Sequence, residues 1–313
     1  MTLQQLQYAL ALQRHKSFRI AAQKLNLSQP GLSLQIGKLE KEIGLLLFDR
    51  SKSPINPTPE GSKFLAKAHE IIVSTDELQE FANNMSDTLS GKISLGIIPT
   101  LAPFLVPLFA DSFQQTHSDI ALDINEMTTE LVVRGVLNGD LDAGIISTPI
   151  QAFGLLSQPL FYEKFFFYKS GDTENSKISL SSIDYSKLWL LNEGNCFRDQ
   201  INNFCNLSEI RKNKKFIYRS NSIDALIRIV DVKGGMTILP ELTTLSLNEH
   251  QEENICQIDS KNPKAREIGL ITRTRNNKEN MLNELCSHIK SNIPKAMLTN
   301  TGLDVVDPNI QME

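Results

Sequence analysis

Ser28-Gln-Pro-Gly-Leu-Ser-Leu-Gln-Ile-Gly-Lys-Leu-Glu-Lys-Glu-Ile-Gly44 opens on a helix cap and closes on a helix stop. A serine at the first position can accept a free backbone N–H of the first turn. Pro30 falls near the first helical position, where its missing N–H is no loss. Gly44 follows the last apolar residue, where a left-handed residue commonly ends a helix. Between these signals Leu32, Ile36, Leu39 and Ile43 recur with the helical period and predict a buried stripe. Gln29, Ser33, Gln35 and Lys38 are left on the outer face. Upstream, Leu3 to His15 reads as a first helix. Ser17 caps a second from Phe18 to about Leu25, and Asn26-Leu27 is a tight turn. Two short helices, a turn and a capped polar-faced helix form a helix-turn-helix, whose third helix enters the major groove of DNA.

Downstream, Phe48 to Pro59 is basic and punctuated by prolines, as expected of a wing hairpin that grips phosphate beside the groove. Residues 1–60 carry eight Lys/Arg against four acids, so the head is at +4 while the whole chain of 313 residues is at −4. A basic head on an acidic body fits a nucleic-acid-binding module joined to something else. The residues expected at DNA are Arg19, Ser28, Gln29, Pro30, Ser33, Gln35, Lys38, Arg50 and Lys52. From residue 60 to 89 there is no proline, and Phe64, Ala68, Ile71, Thr75, Leu78, Ala82, Met85 and Leu89 step alternately by four and three. That seam predicts a long helix that pairs with a second copy.

From Lys92 onward strands and helices alternate. Ile93 to Ile98, Ile120 to Glu126 and Leu141 to Ser147 read as strands. A helix is expected after Pro99-Thr100, and Thr129 is expected to cap another through Leu137. This βαβαβ order implies a parallel sheet covered by helices. A second set comprises Phe161 to Tyr168, Leu188 to Leu191, a helix from Cys196 to Cys205, Phe216 to Arg219, a helix from Ile223 to Val230, and Met236 to Leu239. Ile268 to Thr272 returns to the first sheet and a closing helix runs from about Lys278 to Lys290. The expected fold is therefore α+β and multidomain. A winged helix-turn-helix (1–60) and a linker and dimerisation helix (61–90) precede a two-lobed α/β domain with a hinged cleft (91–300). Lobe I takes 91–161 and 268–300, lobe II takes 162–267, and 301–313 is a loose tail.

Leu191-Asn-Glu-Gly-Asn-Cys-Phe-Arg-Asp-Gln-Ile-Asn-Asn-Phe-Cys205 sets two cysteines nine positions apart in a polar, arginine-bearing stretch. On a helix their thiols lie on opposite faces, about 13 Å apart along the axis. A disulfide needs Cα atoms within roughly 7 Å. A bond between them would thus require the segment to unwind. Cys256 and Cys286, flanked by apolar residues, read as small buried hydrophobes.

Several classes are excluded by pattern. The longest apolar run, Ile93 to Phe113, contains three prolines and does not read as a membrane span. The N-terminus lacks the basic start and apolar core of a signal peptide, so a cytoplasmic location is expected, where disulfides are transient, catalytic or redox-sensing. The five histidines are scattered, with no Cys-x-x-Cys or His-x-x-x-His spacing, so no metal is expected. Neither a phosphate-binding glycine loop nor a nucleophile elbow is present, and no cofactor is expected.

Phe18-Arg-Ile-Ala-Ala22, Ser28-Gln-Pro30, Leu34-Gln-Ile36, Lys38-Leu-Glu40, Gly44, Leu47-Phe-Asp-Arg50 and Thr58-Pro-Glu-Gly61 together resemble the LysR-type transcriptional regulators. The resemblance runs over nearly the full chain. A second set is similar to the peroxide-sensing members of that family: Gly96-Ile-Ile-Pro-Thr100 with Pro103, Glu193-Gly-Asn-Cys-Phe-Arg-Asp-Gln200, Phe204-Cys205 and Gly235-Met-Thr-Ile-Leu-Pro240. The resemblance implies a regulator rather than an enzyme, with residues 91–300 as a periplasmic-binding-protein-like regulatory domain. It implies a homotetramer, a dimer of dimers formed through the linker helix and regulatory domains. Such a protein binds promoter DNA, takes hydrogen peroxide as its signal, activates oxidative-stress genes, and works with RNA polymerase and thiol reductants. It further implies that Cys196 is the peroxidatic cysteine and Cys205 the resolving one. Thr100, Thr129, Arg198, Asp199 and Arg266 would form the peroxide pocket.

The chemistry of the residues points the same way. Only a thiolate attacks peroxide, and a helix N-terminus with nearby arginine favours the anion. Asn195 stands where the best-known members have histidine. Gly31 and Gly37 stand on the recognition helix where a small or hydroxyl residue and a basic residue are usual. Two other readings are a LysR-type regulator with a small organic effector in the cleft, and a thiol peroxidase.

Overall fold

The computed structural model describes residues 1–51, 53–83, 89–171, 177–192, 195–205, 218, 220–274, 276 and 278–310, with residues 76, 77 and 79–83 described by backbone alone. Lys52, Glu193-Gly194, the last turns of the linker seam and all of the expected Phe216–Arg219 strand but Tyr218 lie outside this set. The chain forms two compact units, Met1–Asp87 and Thr88–Glu313.

The first unit holds α1 (Leu3–His15), α2 (Phe18–Lys24), α3 (Gln29–Ile43), the wing strands β1 (Phe48–Asp49) and β2 (Asn56–Pro57), and α4 (Pro59–Asn83). The cap signals act as the sequence predicts. Ser17 Oγ accepts from Ile20 N–H, Ser28 Oγ from Gly31 N–H, and Gly44 ends α3 with φ 71°. Leu32, Ile36 and Leu39 are buried with Leu6, Leu12, Ala21 and Ala22 in one small core.

The linker helix is divided in its loyalties. Leu65 and Ala68 are buried in that same core, with Phe64 and Ile72 packed against it, whereas Ile71 and Leu78 are exposed. The early part of the seam thus serves its own unit, and only its later residues are left for a partner. Thr58-Pro-Glu-Gly61 starts the helix. Thr58 Oγ1 accepts from Gly61 N–H at 2.8 Å while donating to Leu46 C=O at 2.7 Å. A Cβ on Gly61 would lie 2.1 Å from Leu47 O, a backbone atom that cannot swing away. Gly61→Ala is therefore expected to destabilise the DNA-binding unit by roughly 2–3 kcal/mol through overpacking. Thermal melts of the full chain would show this, and an unchanged melt would contradict the fit.

The second unit contains β3 (Gly91–Ile97), α5 (Ala102–Thr116), β4 (Ile120–Glu126), α6 (Thr129–Asn138), β5 (Ala143–Thr148), β6 (Leu155–Lys169) and β7 (Lys177–Ser179). These are followed by α7 (Cys196–Cys205), α8 (Ile223–Lys233), β8 (Met236–Pro240), α9 (Glu241–Thr244), α10 (Glu249–Glu252), β9 (Ile255–Asp259), β10 (Lys264–Arg273), α11 (Glu279–Ser291) and β11 (Asp304–Val305). In lobe I, β3 pairs in parallel with both β4 and β5, as the βαβαβ reading requires. In lobe II, β8 and β9 pair antiparallel with the far half of β6.

Two crossover strands are longer than their apolar cores suggest. β6 and β10 pair antiparallel from Ala265↔Lys164 to Arg273↔Leu155, with a register shift between Ile268 and Gly269. Each strand therefore passes from one lobe to the other, and polar residues such as Glu163 and Arg266 are carried inside where periodicity cannot flag them.

Three further expectations are corrected. Leu188 to Leu191 is not a strand, and only Leu188 makes a bridge, to Met236. β7 and β9 were not expected. The tail is not loose through residue 310: β11 pairs in parallel with β10 at Lys264↔Asp304 and Ala265↔Val305, Lys264 Nζ bonds Asp304 at 2.6 Å, and Val306 is buried. The backbone N–H groups of Asp304 and Val306 bond the carbonyls of Pro263 and Ala265 at an open edge of β10, a partner that the local sequence does not reveal.

Candidate redox site and DNA-binding face

On the first unit, Arg19, Ser28, Gln29, Pro30 and Lys38 are exposed, while Ser33 and Gln35 are half-buried. Leu34, not among the expected contacts, is 59% exposed on the same helix. Ser28 doubles as cap, which ties the start of α3 to a residue offered to DNA. Arg50 has a structural task beside any phosphate contact. Its guanidinium bonds the buried Glu40 carboxylate at 2.6 Å, reaches Ser33 Oγ at 3.5 Å and lies over the Phe18 ring. Glu40 Oε1 in turn accepts the Leu47 and Phe48 N–H groups, so the pair fixes the wing to α3.

In the second unit, the thiol of Cys196 is built from two helix starts. Cys196 is the first residue of α7 and Thr129 the first residue of α6. Thr129 Oγ1 donates to Cys196 Sγ at 3.3 Å. The sequence makes Thr129 the cap. Instead Thr128 holds that position and makes no side-chain cap bond, so the Thr129 hydroxyl is directed to sulfur. Asn195 caps α7: its Oδ1 accepts Phe197 N–H at 3.1 Å and its carbonyl accepts from Arg198 and Asp199. The amide that replaces the usual histidine is thus a helix cap lining the same cavity.

That cavity has a volume of 60 Å³ and is lined by Ile98, Pro99, Thr128, Thr129, Asn195, Cys196 and Asn221. A cavity needs about 10–15 Å³ of such volume to hold one water, so the space suits a molecule the size of a few waters. Organic-ligand pockets run to roughly 300–1,000 Å³.

Behind it lies a buried ion pair. Arg266 and Glu163 face each other across β6 and β10, both wholly buried. Arg266 Nε donates to Glu163 Oε1 at 2.7 Å, and Glu163 Oε2 accepts Leu242 N–H at 3.0 Å. The other side of the guanidinium donates to Thr100 Oγ1 at 3.0 Å and to Thr100 C=O at 3.3 Å, and its face covers the Phe197 ring at 4.8 Å. Thr100 therefore joins the site through Arg266. It does not start α5, which begins at Ala102. Glu163, absent from the expected set, had one signal: a carboxylate inside Phe161-Tyr-Glu-Lys-Phe-Phe-Phe167.

Electrostatics correct one expectation. Burial raises the Cys196 pKa above its ordinary value. The Thr129 hydrogen bond, the Arg266 charge and the Phe197 N–H oppose that rise, while the Asp199 charge adds to it. Desolvation of the anion outweighs them. If the thiolate is the reactive form, oxidation should accelerate about tenfold per pH unit between about pH 6 and 8.5. Stopped-flow rates at fixed peroxide test this, and a flat profile would mean the thiol is not the species limiting the reaction.

The remaining expected residues divide. Arg198 Nη1 donates to Leu191 C=O at 2.8 Å, anchoring the approach to α7. Asp199 is exposed, and burial of part of its surroundings raises its pKa. Cys205 ends α7, buried and free, with its pKa pushed up by burial to about 12. Cys256 and Cys286 are buried as expected of core residues.

Residues 86–293 match the LysR substrate-binding domain, and residues 3–62 match the bacterial regulatory helix-turn-helix protein, lysR family. The chain belongs to the LysR family. Among curated LysR relatives, the hydrogen peroxide-inducible genes activator of Pectobacterium carotovorum subsp. carotovorum is 30% identical over 87% of this chain and 90% of its own. The regulator EstR of Acinetobacter baylyi has the same identity and coverage. Among solved structures, full-length OxyR C199D from Pseudomonas aeruginosa superposes with a TM-score of 0.73 at 27% identity, covering 93% of this chain and 98% of that one. No helix among the described residues is long and apolar enough to cross a membrane.

Proposed function

We propose that this LysR regulator activates peroxide-response genes, with Cys196 as the group that reacts with hydrogen peroxide and Cys205 as its disulfide partner. Overall identity does not choose the signal, because EstR is as similar as the peroxide-inducible activator. The carrying observation is the thiol of Cys196, hydrogen-bonded by Thr129 in a 60 Å³ cavity, with a second free cysteine ending the same helix. Such a volume admits a molecule as small as peroxide. A neighbouring pocket of 350 Å³, lined in part by Glu126, Asn221 and Asp224, is the specific feature that favours an organic effector as the second reading.

The chemistry balances with peroxide as the only oxidant. The Cys196 thiolate attacks one peroxide oxygen, forming S–O as O–O breaks, and the departing oxygen leaves as water after taking up a proton. Thr129 stabilises the charge on sulfur and Asn221 and Asn195 line the space where oxygen departs. Cys205 sulfur then attacks Cys196, forming S–S as S–O breaks, and a second water leaves. In the native helix Cys205 is held near pKa 12. In an unwound chain a thiol returns to about 8.5, a gain of roughly three orders of magnitude in thiolate at neutral pH. Resolution is thus gated by unwinding of α7.

In this reading the protein is cytoplasmic and a tetramer at promoter DNA, with the exposed late seam of α4 joining copies. Disulfide formation changes its promoter contacts, RNA polymerase reads the change, and cellular thiol reductants reverse it. The test is intact mass and non-reducing peptide mapping after one equivalent of hydrogen peroxide. A loss of about 2 Da with a linked Cys196–Cys205 peptide is expected. Two thiols that stay alkylatable at micromolar peroxide would sink the reading and turn attention to the larger pocket.

A further inference from the structure

We infer that the C-terminal segment 303–310 is a strap that positions the redox helix, acting through Gln200 and Asn203, and that it opposes disulfide formation. The inference rests on the reading of Cys196 and Cys205 given above.

Gln200 is wholly buried in the middle of α7. Its Nε2 donates to Val306 C=O at 2.8 Å, and its Oε1 accepts Ser147 Oγ at 3.3 Å from the end of β5. One turn on, Asn203 Nδ2 donates to Asp307 C=O at 3.3 Å. The two residues are three apart and so share a helix face. The strap is itself anchored: Asp304 N–H bonds Pro263 C=O at 2.9 Å, Val306 N–H bonds Ala265 C=O at 2.8 Å, and Val306 and Pro308 are buried. Ala265 adjoins Arg266, so neighbouring residues of β10 hold the strap and carry the buried guanidinium.

Both side-chain bonds to the strap leave from residues lying between the two cysteines. They depend on helical spacing, and a Cys196–Cys205 bond removes that spacing because the helix holds the thiols about 13 Å apart along its axis. Buried Gln200 would lose its carbonyl partner as α7 unwinds, an unfavourable exposure of paired polar groups. The strap therefore stabilises the reduced arrangement. By reciprocity, oxidation loosens the strap by the same factor that the strap disfavours oxidation. Gln200 and Asn203 are positioning residues in this scheme, since neither is bonded to sulfur.

Hydrogen exchange of the full chain, reduced and after one equivalent of hydrogen peroxide, reads the strap directly. The amides of Asp304 and Val306 should exchange at least about tenfold faster in the disulfide form, within the 5–150-fold usual for coupled sites. Equal protection in the two states overturns the proposal. In parallel, Gln200→Met with Asn203→Ala keeps the strap residues and most of the packing. A chain ending at Gly302 removes the strap. Equilibrated in a reduced/oxidised glutathione buffer, both should favour the disulfide about tenfold more than the parent, and an unchanged ratio in the double variant would count against the positioning role. Should the parent form no disulfide at all, the failure lies with the peroxide reading. If the disulfide forms while strap protection stays constant, the failure lies with the strap.

Discussion

Arg266→Met should lower the stability of the regulatory unit by about 3–5 kcal/mol, because it leaves the Glu163 carboxylate buried without its partner. For a unit of this size that is a fall of roughly 6–20 °C in melting temperature. Burial already pushes the Glu163 pKa up, and the Arg266 charge and Leu242 N–H are what oppose it. Removing the arginine frees that rise. The sign follows for pH: a carboxyl with a raised folded pKa adds stability below its unfolded value, and loses it as pH climbs through the folded one. The variant should therefore gain back stability toward acid, where Glu163 is neutral. Pairing it with Glu163→Gln should recover much of the loss, since a neutral amide replaces a stranded charge. Differential scanning calorimetry of the four proteins across pH 5–8 is the measurement. A melt for Arg266→Met within about 2 °C of the parent would show that the pair does not hold the lobes' crossing strands.

The second large effect separates the two cysteines. Cys196→Ser should abolish oxidation by equimolar peroxide, because serine has no thiolate to offer and the 60 Å³ cavity contains no other nucleophilic sulfur. Cys205→Ser should still react, but stop at a sulfenic acid about 16 Da heavier on Cys196. The asymmetry comes from their settings. Cys196 has a hydroxyl donor, a helix start and an arginine charge beside it, while Cys205 shows only burial as the cause of its raised pKa. Mass spectrometry with a sulfenic-acid trap distinguishes the two variants. A trap signal in Cys196→Ser, or none in Cys205→Ser, would reverse the assigned roles.

Much of the head was legible in order. Ser17, Ser28 and Gly44 are cap residues whose signals are local, and Leu32, Ile36 and Leu39 keep the helical period, so chemistry within a few residues specified those helices. The α7 helix was expected from Cys196 to Cys205 and forms there, but its Asn195 cap emerges only in the folded chain. The strands β6 and β10 were legible only in their apolar stretches, because their polar members are paired across the sheet rather than along the chain.

Local sequence specifies the helix-turn-helix, the alternation of strands and helices, and the spacing of two cysteines that a helix must hold apart. These rest on short-range physics: caps, periods and turns. It takes the folded chain to set Glu163 against Arg266, to turn the Thr129 hydroxyl to sulfur instead of capping its helix, and to bring Val306 and Asp307 onto α7 from far along the sequence. Each of these is a contact between residues 67 to 106 positions apart. No periodicity reports such a pair, since what selects it is the need of a buried polar group for whichever partner the folded backbone brings within reach.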